Sequence, residues 1–304
     1  MKFDHRDIEY FAAIATHGHI GRAAESLGIG QPALSIALRR LECAADAKLV
    51  ERTPRGVVLT SVGAGLIRHV DRLRLAREDL GRELADLAHG EAGSLRIGAS
   101  PSNTFDPLPL VCRTLLLRSP KLELVVSVHD NDALIPALRR GDLDIVIGHR
   151  QQLREPDLTE VLLRQDEFVV YCAKSHSLAK RKQLKLADLA RERWVLTEAN
   201  ALGPWLSLRH FFSERGLPPP RLAMLSPSPT VNLRTVADSP LLGISNRRNV
   251  LDARAMGLVV LPVQDLEWKR DAVLMHRKDG YLSPLATRFI RELKAASQNV
   301  HMSM

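Results

Sequence analysis

Residues Gly21 to Leu41 read GRAAESLGIGQPALSIALRRL. Ala23, Ala24 and Leu27 share one face of a short helix, and Gly28 can take the left-handed backbone conformation that ends it. Gln31 opens a second helix, with Pro32 in its first turn, where a missing N–H costs nothing. Ala33, Leu34, Ala37, Leu38 and Leu41 recur at helical spacing and predict its buried face. Gln31, Ser35, Arg39 and Arg40 fall largely outside that stripe. Two short helices with a tight turn between them make a helix-turn-helix, whose second helix fits a DNA major groove. Gln can make two hydrogen bonds to an adenine edge and Ser can serve several bases. Arg39 and Arg40 can neutralise phosphates, and Arg22 on the preceding helix is a further candidate for DNA contact.

On the C-terminal side, Leu49 to Leu59 reads as a short hairpin with Pro54-Arg55-Gly56 at its tip. This is a wing that carries Arg52 and Arg55 toward the DNA backbone or minor groove. On the N-terminal side, Asp4 to His17 forms a first helix with a buried stripe of Ile8, Phe11, Ala12, Ile14 and Ala15, ended by Gly18. His17-Gly18-His19 has no further ligands near it in sequence, so no metal site is read there.

Taken together, Ala23-Ala24 through Leu27, Gln31-Pro32-Ala33-Leu34-Ser35, Arg39-Arg40-Leu41-Glu42, Glu51-Arg52-Thr53 and Leu59-Thr60 closely resemble the LysR-type transcriptional regulators of bacteria. The dense match covers residues 1–60, and the order and length of the remainder also fit. Gly30 stands where the family commonly has Ser, Ile36 where it commonly has Arg, and His19 and Gly21 where small hydroxyl residues are common; these departures imply an altered operator preference. The resemblance implies double-stranded promoter DNA and a small-molecule effector as partners. It also implies RNA polymerase as a further partner, and a homotetramer built as a dimer of dimers.

A length of 304 residues allows two or more domains with ample core, and 45% hydrophobic with 26% charged residues is ordinary for a soluble globular chain. No apolar run suggests a signal peptide or a membrane span, and three widely spaced cysteines read as reduced thiols. The expectation is a cytoplasmic, nucleoid-associated protein without membrane contact. The net charge of +8 does not mark the DNA-binding region: residues 1–93 hold 13 Lys+Arg and 13 Asp+Glu, whereas residues 94–304 hold 30 and 22. DNA binding therefore rests on the local placement of a few arginines. The basic excess in the second part is either a solvated surface or a response to an anionic ligand.

Thr60 or Ser61 can cap a long helix from Val62 to about Ala88. Leu66, Val70, Leu73, Leu80, Leu84 and Leu87 alternate at spacings of four and three, with Arg77 in the missing position. Such a heptad seam predicts a dimerisation helix, and two heads on one symmetric molecule predict a roughly palindromic site. The competing reading is an amphipathic helix lying on its own domain. Gly90 to Gly93 reads as a hinge.

From Ser94 strands and helices alternate, which implies a parallel sheet. Strands are expected at Leu95–Gly98, Leu122–Val128, Asp144–Gly148, Phe168–Cys172, Trp194–Leu196, Leu222–Leu225, Leu241–Ile244, Leu258–Leu261 and Val273–His276. Helices are expected at Leu108–Leu117, Ala133–Arg140, Pro204–Glu214, Thr230–Ala237 and Ser283–Ala296. The pattern resembles the two-lobed periplasmic-binding-protein-like (type 2) sensor domain of LysR-type regulators. The implied division is a winged helix-turn-helix domain at 1–60, a linker helix at 61–90 and an effector-binding domain at 91–304. Within the last, one lobe is 94–163 plus 268–304 and the other is 164–267, with two chain crossings as the hinge.

Ligands of open α/β sheets sit outside the carboxyl ends of strands. That rule selects Ser100, Ser102, Asn103 and Thr104 after the first strand, where hydroxyls and free N–H groups at a helix start favour an anion such as a carboxylate. It also selects His129, His149, Thr197, Ser228 and Ser245. The family resemblance points to the same first loop. Trp205 reads as core rather than as a ligand stacker.

No catalytic pattern is found. Gly243-Ile244-Ser245-Asn246-Arg247 lacks the second Gly of a nucleophile elbow, and Gly63-Ala64-Gly65 lies inside a helix and is no dinucleotide loop. No phosphate loop or zinc-ligand spacing is present, so neither an enzyme nor a cofactor is expected. The reading is a LysR-type, DNA-binding regulator whose promoter binding responds to a small, anionic metabolite. Its rivals are a non-regulatory binding protein and an α/β enzyme.

Overall fold

A computed structural model describes residues 3–89, 93–105, 107–151, 155–197 and 204–299. The chain divides into two compact units, 1–81 and 82–304.

In the first unit, α1 (His5–His17) is capped by Asp4, whose carboxylate accepts from Arg6 N at 2.8 Å. Helix α2 (Ile20–Ser26) leads through Gly28, at φ 65°, into α3 (Gln31–Ala45). A hairpin of β1 (Val50–Thr53) and β2 (Gly56–Leu59) forms the wing. Phe11, Ile14, Ala23, Ala24, Leu34, Leu38, Leu41 and Leu49 close the core. Ala33, expected on the buried face, is exposed, so the buried stripe of α3 begins at Leu34.

Two buried acids hold this small core together. Glu42 on α3 accepts from Leu49 N at 3.0 Å and from Lys48 Nζ at 2.8 Å, tying the helix to the wing. Burial pushes its carboxyl up, but these bonds outweigh burial and hold it below the ordinary range. Asp7 on α1 accepts from Arg40 Nε at 2.9 Å and Nη2 at 2.5 Å.

Helix α4 (Ser61–His89) starts against the wing. Thr60 Oγ1 donates to the Lys48 carbonyl at 2.7 Å and accepts from Gly63 N at 3.0 Å. The helix backbone approaches the residue before β1 so closely here that a Cβ on Gly63 would lie 2.0 Å from the Leu49 carbonyl oxygen. Leu66 packs against the core of this unit and Val70 is buried, so these two expected seam residues are occupied within their own chain. The intramolecular reading thus holds for the first turns of α4. Leu73, Leu80, Leu84 and Leu87 are 55–77% exposed. Of the expected hinge, Gly90 to Ala92 lies outside the described residues.

In the second unit one lobe carries β3 (Ser94–Ala99), α5 (Leu108–Arg118), β4 (Glu123–Val128), α6 (Asn131–Arg140) and β5 (Ile145–His149). A sixteen-residue strand, β6 (Leu158–Ala173), then passes into the other lobe. There lie β7 (Arg193–Leu196), α7 (Pro204–Glu214), β8 (Arg221–Leu225), α8 (Pro229–Ala237), β9 (Leu242–Asn246), α9 (Arg247–Asp252) and β10 (Leu258–Val260). Strand β11 (Lys269–Arg277) returns the chain to α10 (Pro284–Asn299).

The sheet order is β4-β3-β5-β11-β6-β9-β7-β8, with β10 paired to β6. Pairs β3–β4, β3–β5, β7–β8 and β7–β9 are parallel, as alternating strands and helices require, but β5–β11, β11–β6, β6–β9 and β6–β10 are antiparallel. The expected all-parallel sheet is therefore mixed, because β6 and β11 cross between lobes in opposite directions. Their ladder runs from Leu158↔Arg277 to Glu167↔Lys269. The expected lobe boundary at 163/164 falls inside β6 rather than between elements.

Each lobe is packed on both sheet faces, so its central strands are apolar on alternate and intervening positions alike. Val170, Cys172, Trp194, Leu196, Phe212 and Leu242 fill one face of the second lobe; Val169, Tyr171, Val195, Leu233 and Val236 fill the other. Trp205 packs against the first of these clusters. In the first lobe Leu95, Ile97, Ile147, Leu274 and Phe289 oppose Leu134, Leu138, Val146, Val273 and Met275. The last turns of α4 belong with this lobe: Arg82 Nη1 donates to Asp144 Oδ1 at 2.7 Å, and Tyr281 Oη donates to Asp86 Oδ2 at 2.9 Å. Asp144 also accepts from Arg96 N, Nε and Nη2 on β3. Among the described residues no helix is long and apolar enough to cross a membrane.

Candidate DNA-binding face and ligand cleft

The first turns of α3 stand clear of the core. Gln31, Pro32 and Arg39 are exposed, Ser35 is half-buried, and Ile36 is 54% exposed. Arg22 on α2 and Arg52 and Arg55 on the wing are exposed as well. Arg40 differs from the other arginines: its guanidinium bonds buried Asp7 through Nε and Nη2, and that bond raises its pKa further. Its primary contact is structural, and sequence spacing alone could not show this because Asp7 lies 33 residues away. The arrangement offers a polar helix start with flanking cations, which suits a groove lined by phosphates. Alanine at Gln31 together with Ser35 is expected to remove base discrimination worth about 1–3 kcal/mol per lost pair of base contacts. Competition binding with scrambled operator DNA measures this, and an unchanged preference would assign the reading of bases to other residues.

The second site lies where the lobes meet. Ser100, Pro101 and Ser102 after β3, Asp130 and Asn131 at the start of α6, and His149 and Gln151 at the end of β5 line one side. Thr197 after β7, Pro229 at the start of α8, and Ile244 and Ser245 on β9 line the other. Phe168 and Arg270, one from each crossing strand, complete it. The cavity volume is ≈ 60 Å³.

Of the nine expected ligand residues, Ser100, Ser102, His149, Thr197 and Ser245 line this cavity. Asn103 lies behind it: its Nδ2 donates to Ser100 Oγ at 2.8 Å and its Oδ1 accepts from Arg164 Nη2 at 2.8 Å. Thr104 turns back to the Pro101 carbonyl at 2.8 Å, and Ser228 caps α8 by accepting from Val231 N at 3.3 Å. His129 is exposed, and the neighbouring Asp130 and Asn131 take the place expected for it. Asn103, Thr104, His129 and Ser228 are therefore removed from the lining. Arg270, Asp130 and Gln151 were missed, since nothing in a local motif marks a cation on a crossing strand.

The wall behind the cavity is a buried polar cluster. Arg164 Nε donates to Asp166 Oδ1 at 2.7 Å, and His149 Nε2 stands 3.4 Å from Asp166 Oδ2. Burial holds His149 below its ordinary pKa against the pull of Asp166, so it is neutral near pH 7. Burial pushes Asp166 up, but His149 and Arg164 outweigh it and leave the carboxyl below its usual range. Asn131 Nδ2 donates to the His149 carbonyl at 2.7 Å and so fixes α6 to β5. The Ser102 carbonyl accepts from Asn246 and Asn249 at 3.3 and 3.2 Å, which links the first loop to the opposite lobe.

Comparison with known families gives two matches that together span most of the chain. Residues 5–64 match the family described as "Bacterial regulatory helix-turn-helix protein, lysR family", and residues 88–298 match "LysR substrate binding domain". The chain belongs to the LysR family of transcriptional regulators. The regulator is 31% identical to the HTH-type transcriptional regulator GbpR of Azospirillum brasilense, over 96% of this chain and 86% of that protein. It is 28% identical to the HTH-type transcriptional regulator CbbR of Rhodospirillum rubrum, over 96% of each. Among solved structures, CbnR, a LysR family transcriptional regulator, matches with a TM-score of 0.60 at 22% identity, covering 98% of this chain and 99% of that one. A full-length OxyR variant from Pseudomonas aeruginosa matches with a TM-score of 0.61 at 21% identity, covering 98% and 95%. These structures share the regulator's fold, with an N-terminal helix-turn-helix and a sheet-rich C-terminal domain.

Proposed function

We propose that promoter binding by this LysR-type regulator is modulated by a small metabolite that presents an anionic group to the cleft between the sensor lobes. The supporting observation is the lining itself: Arg270 faces a cavity edged by the hydroxyl residues Ser100, Ser102, Thr197 and Ser245, drawn from both lobes. A ligand that touches both lobes can favour one angle between them, and only such differential binding shifts a population. Leu73, Leu80, Leu84 and Leu87 provide the dimer seam, and family resemblance extends this to a dimer of dimers. A full-length CbnR complexed with its target DNA has been solved, and the present chain is read as binding promoter DNA through the corresponding head.

The test is a nuclease footprint of the purified protein upstream of its own and neighbouring genes, repeated with candidate acids. A long protected region with dyad symmetry, altered in length or in hypersensitive sites by one of those acids, is expected. An acid that binds the cleft tightly yet changes neither footprint nor bend would sink the modulation reading.

A further inference from the structure

The cleft brings together two opposite charges that the fold does not pair with each other. Arg270 on β11 and Asp130 at the start of α6 both line the cavity. Asp130 occupies the N-cap of α6, yet its side chain makes no cap bond. Asp4, Ser228 and Asn246, at the caps of α1, α8 and α9, each accept an N–H from the first turn of their helix. Such a bond stabilises the start of a helix. Asp130 forgoes it, and among the described residues its carboxylate makes no other hydrogen bond or ion pair. Burial, with Asp132 nearby, pushes its pKa above the ordinary value against a weaker pull from His129, the mark of a carboxylate short of a counter-charge. Behind the cavity, Asp166 is shared by Arg164, by His149 and, through its charge, by Arg270, and Asn103 accepts from Arg164; none of these contacts answers the Asp130 charge.

We propose that the ligand of this cleft is a small zwitterion of the amino-acid type, with its carboxylate toward Arg270 and its ammonium group toward Asp130. This rests on the effector reading above and narrows it. A plain carboxylate of the same skeleton would answer Arg270 but would leave Asp130 without a cation and add a second negative charge to the same cavity. A 2-hydroxy acid would offer Asp130 a donor but no charge, and charge-assisted hydrogen bonds are about twice as strong as neutral ones. The volume of ≈ 60 Å³, about that of two water molecules at ~30 Å³ each, restricts the cleft to a small ligand.

The experiment uses the full-length protein and three matched series: the common amino acids, the 2-hydroxy acids of the same skeletons, and the unsubstituted acids. Thermal shift screens them and calorimetry ranks the hits. At least one amino acid is expected to bind at least about tenfold more tightly than its hydroxy and unsubstituted counterparts. Asp130→Asn is expected to erase that advantage while leaving the unsubstituted acid bound as before or more tightly, which also shows that the variant cleft is folded. Asp132→Asn, on an exposed neighbour, is expected to preserve the ranking. Unsubstituted or hydroxy acids that bind as tightly as the amino acid, or an Asp130→Asn loss shared equally by all three series, would overturn the zwitterion and leave the cleft as an effector site. Silence from all three series would count against both.

Discussion

Gly63→Ala is expected to unfold the DNA-binding head at a temperature that leaves the sensor folded. The added methyl would sit 2.0 Å from the Leu49 carbonyl oxygen, which is backbone and already accepts from Thr60 N at 3.0 Å. Neither β1 nor the first turn of α4 can yield without disturbing the bonds of Thr60 to Lys48 and Gly63. Overpacking of this kind costs about 1–3 kcal/mol or more. A unit of 81 residues has roughly 4–12 kcal/mol in total at ~0.05–0.15 kcal/mol per residue. The head transition in calorimetry is therefore expected to fall by about 5–15 °C, with the sensor transition unmoved. Gly65→Ala is the control: its methyl meets only the end of the Arg68 side chain at 3.6 Å, and alanine in a helix interior is favoured over glycine by about 1 kcal/mol. It is expected to raise the head transition slightly. A Gly63→Ala protein with an unchanged head transition would show that the close approach is not maintained in solution.

The second large effect concerns α4. Glutamate at both Leu80 and Leu87 is expected to convert the dimer to a monomer and to abolish the footprint at concentrations where the parent protein protects its site. These side chains are 55% and 77% exposed, and burying a leucine against a partner stabilises by about 1.5–3 kcal/mol per side chain. Four such side chains per dimer are lost, and four charges are placed on the seam instead. Sedimentation reads the mass, and circular dichroism confirms that head and sensor remain folded. A double variant that stays dimeric would move the interface off this helix. The same substitution at Val70 would be uninformative, because Val70 is buried within its own chain.

That distinction shows where sequence reading stops. Leu66, Val70, Leu73, Leu80, Leu84 and Leu87 share one period, and periodicity cannot say which of them meets a neighbouring element and which meets a partner. The head was legible because its signals are local: a glycine at the turn, a proline in the first turn of α3, a stripe at 3.6-residue spacing. Strand positions in the sensor were legible for the same reason. The length of β6 was not, because Arg164 and Asp166 interrupt its apolar run, and what allows them to be buried is Asn103, 61 residues distant from Arg164. Asp7 looked like an ordinary acid in the first turn of a helix until Arg40 was seen to grip it. In the cleft the strand-end rule selects loops that line the cavity, but at the second of them Asp130 rather than the expected His129 lies in the lining, since a loop residue's direction depends on backbone angles that sequence does not display.

The grip of Asp144 on Arg82 has a mechanical consequence. Asp144 directly precedes β5, and His149 at the far end of that strand lines the cleft. Five strand residues span about 17 Å at ~3.3 Å each. The strand is hydrogen-bonded on both sides, to β3 and to β11, which stiffens it between its ends. Its geometry is that of a push-rod: a displacement of His149 along the strand axis would be felt at Asp144, and through Arg82 at the end of α4. A ligand that shifts β5 against its neighbours would in this way tug on the linker helix without any loop having to change shape.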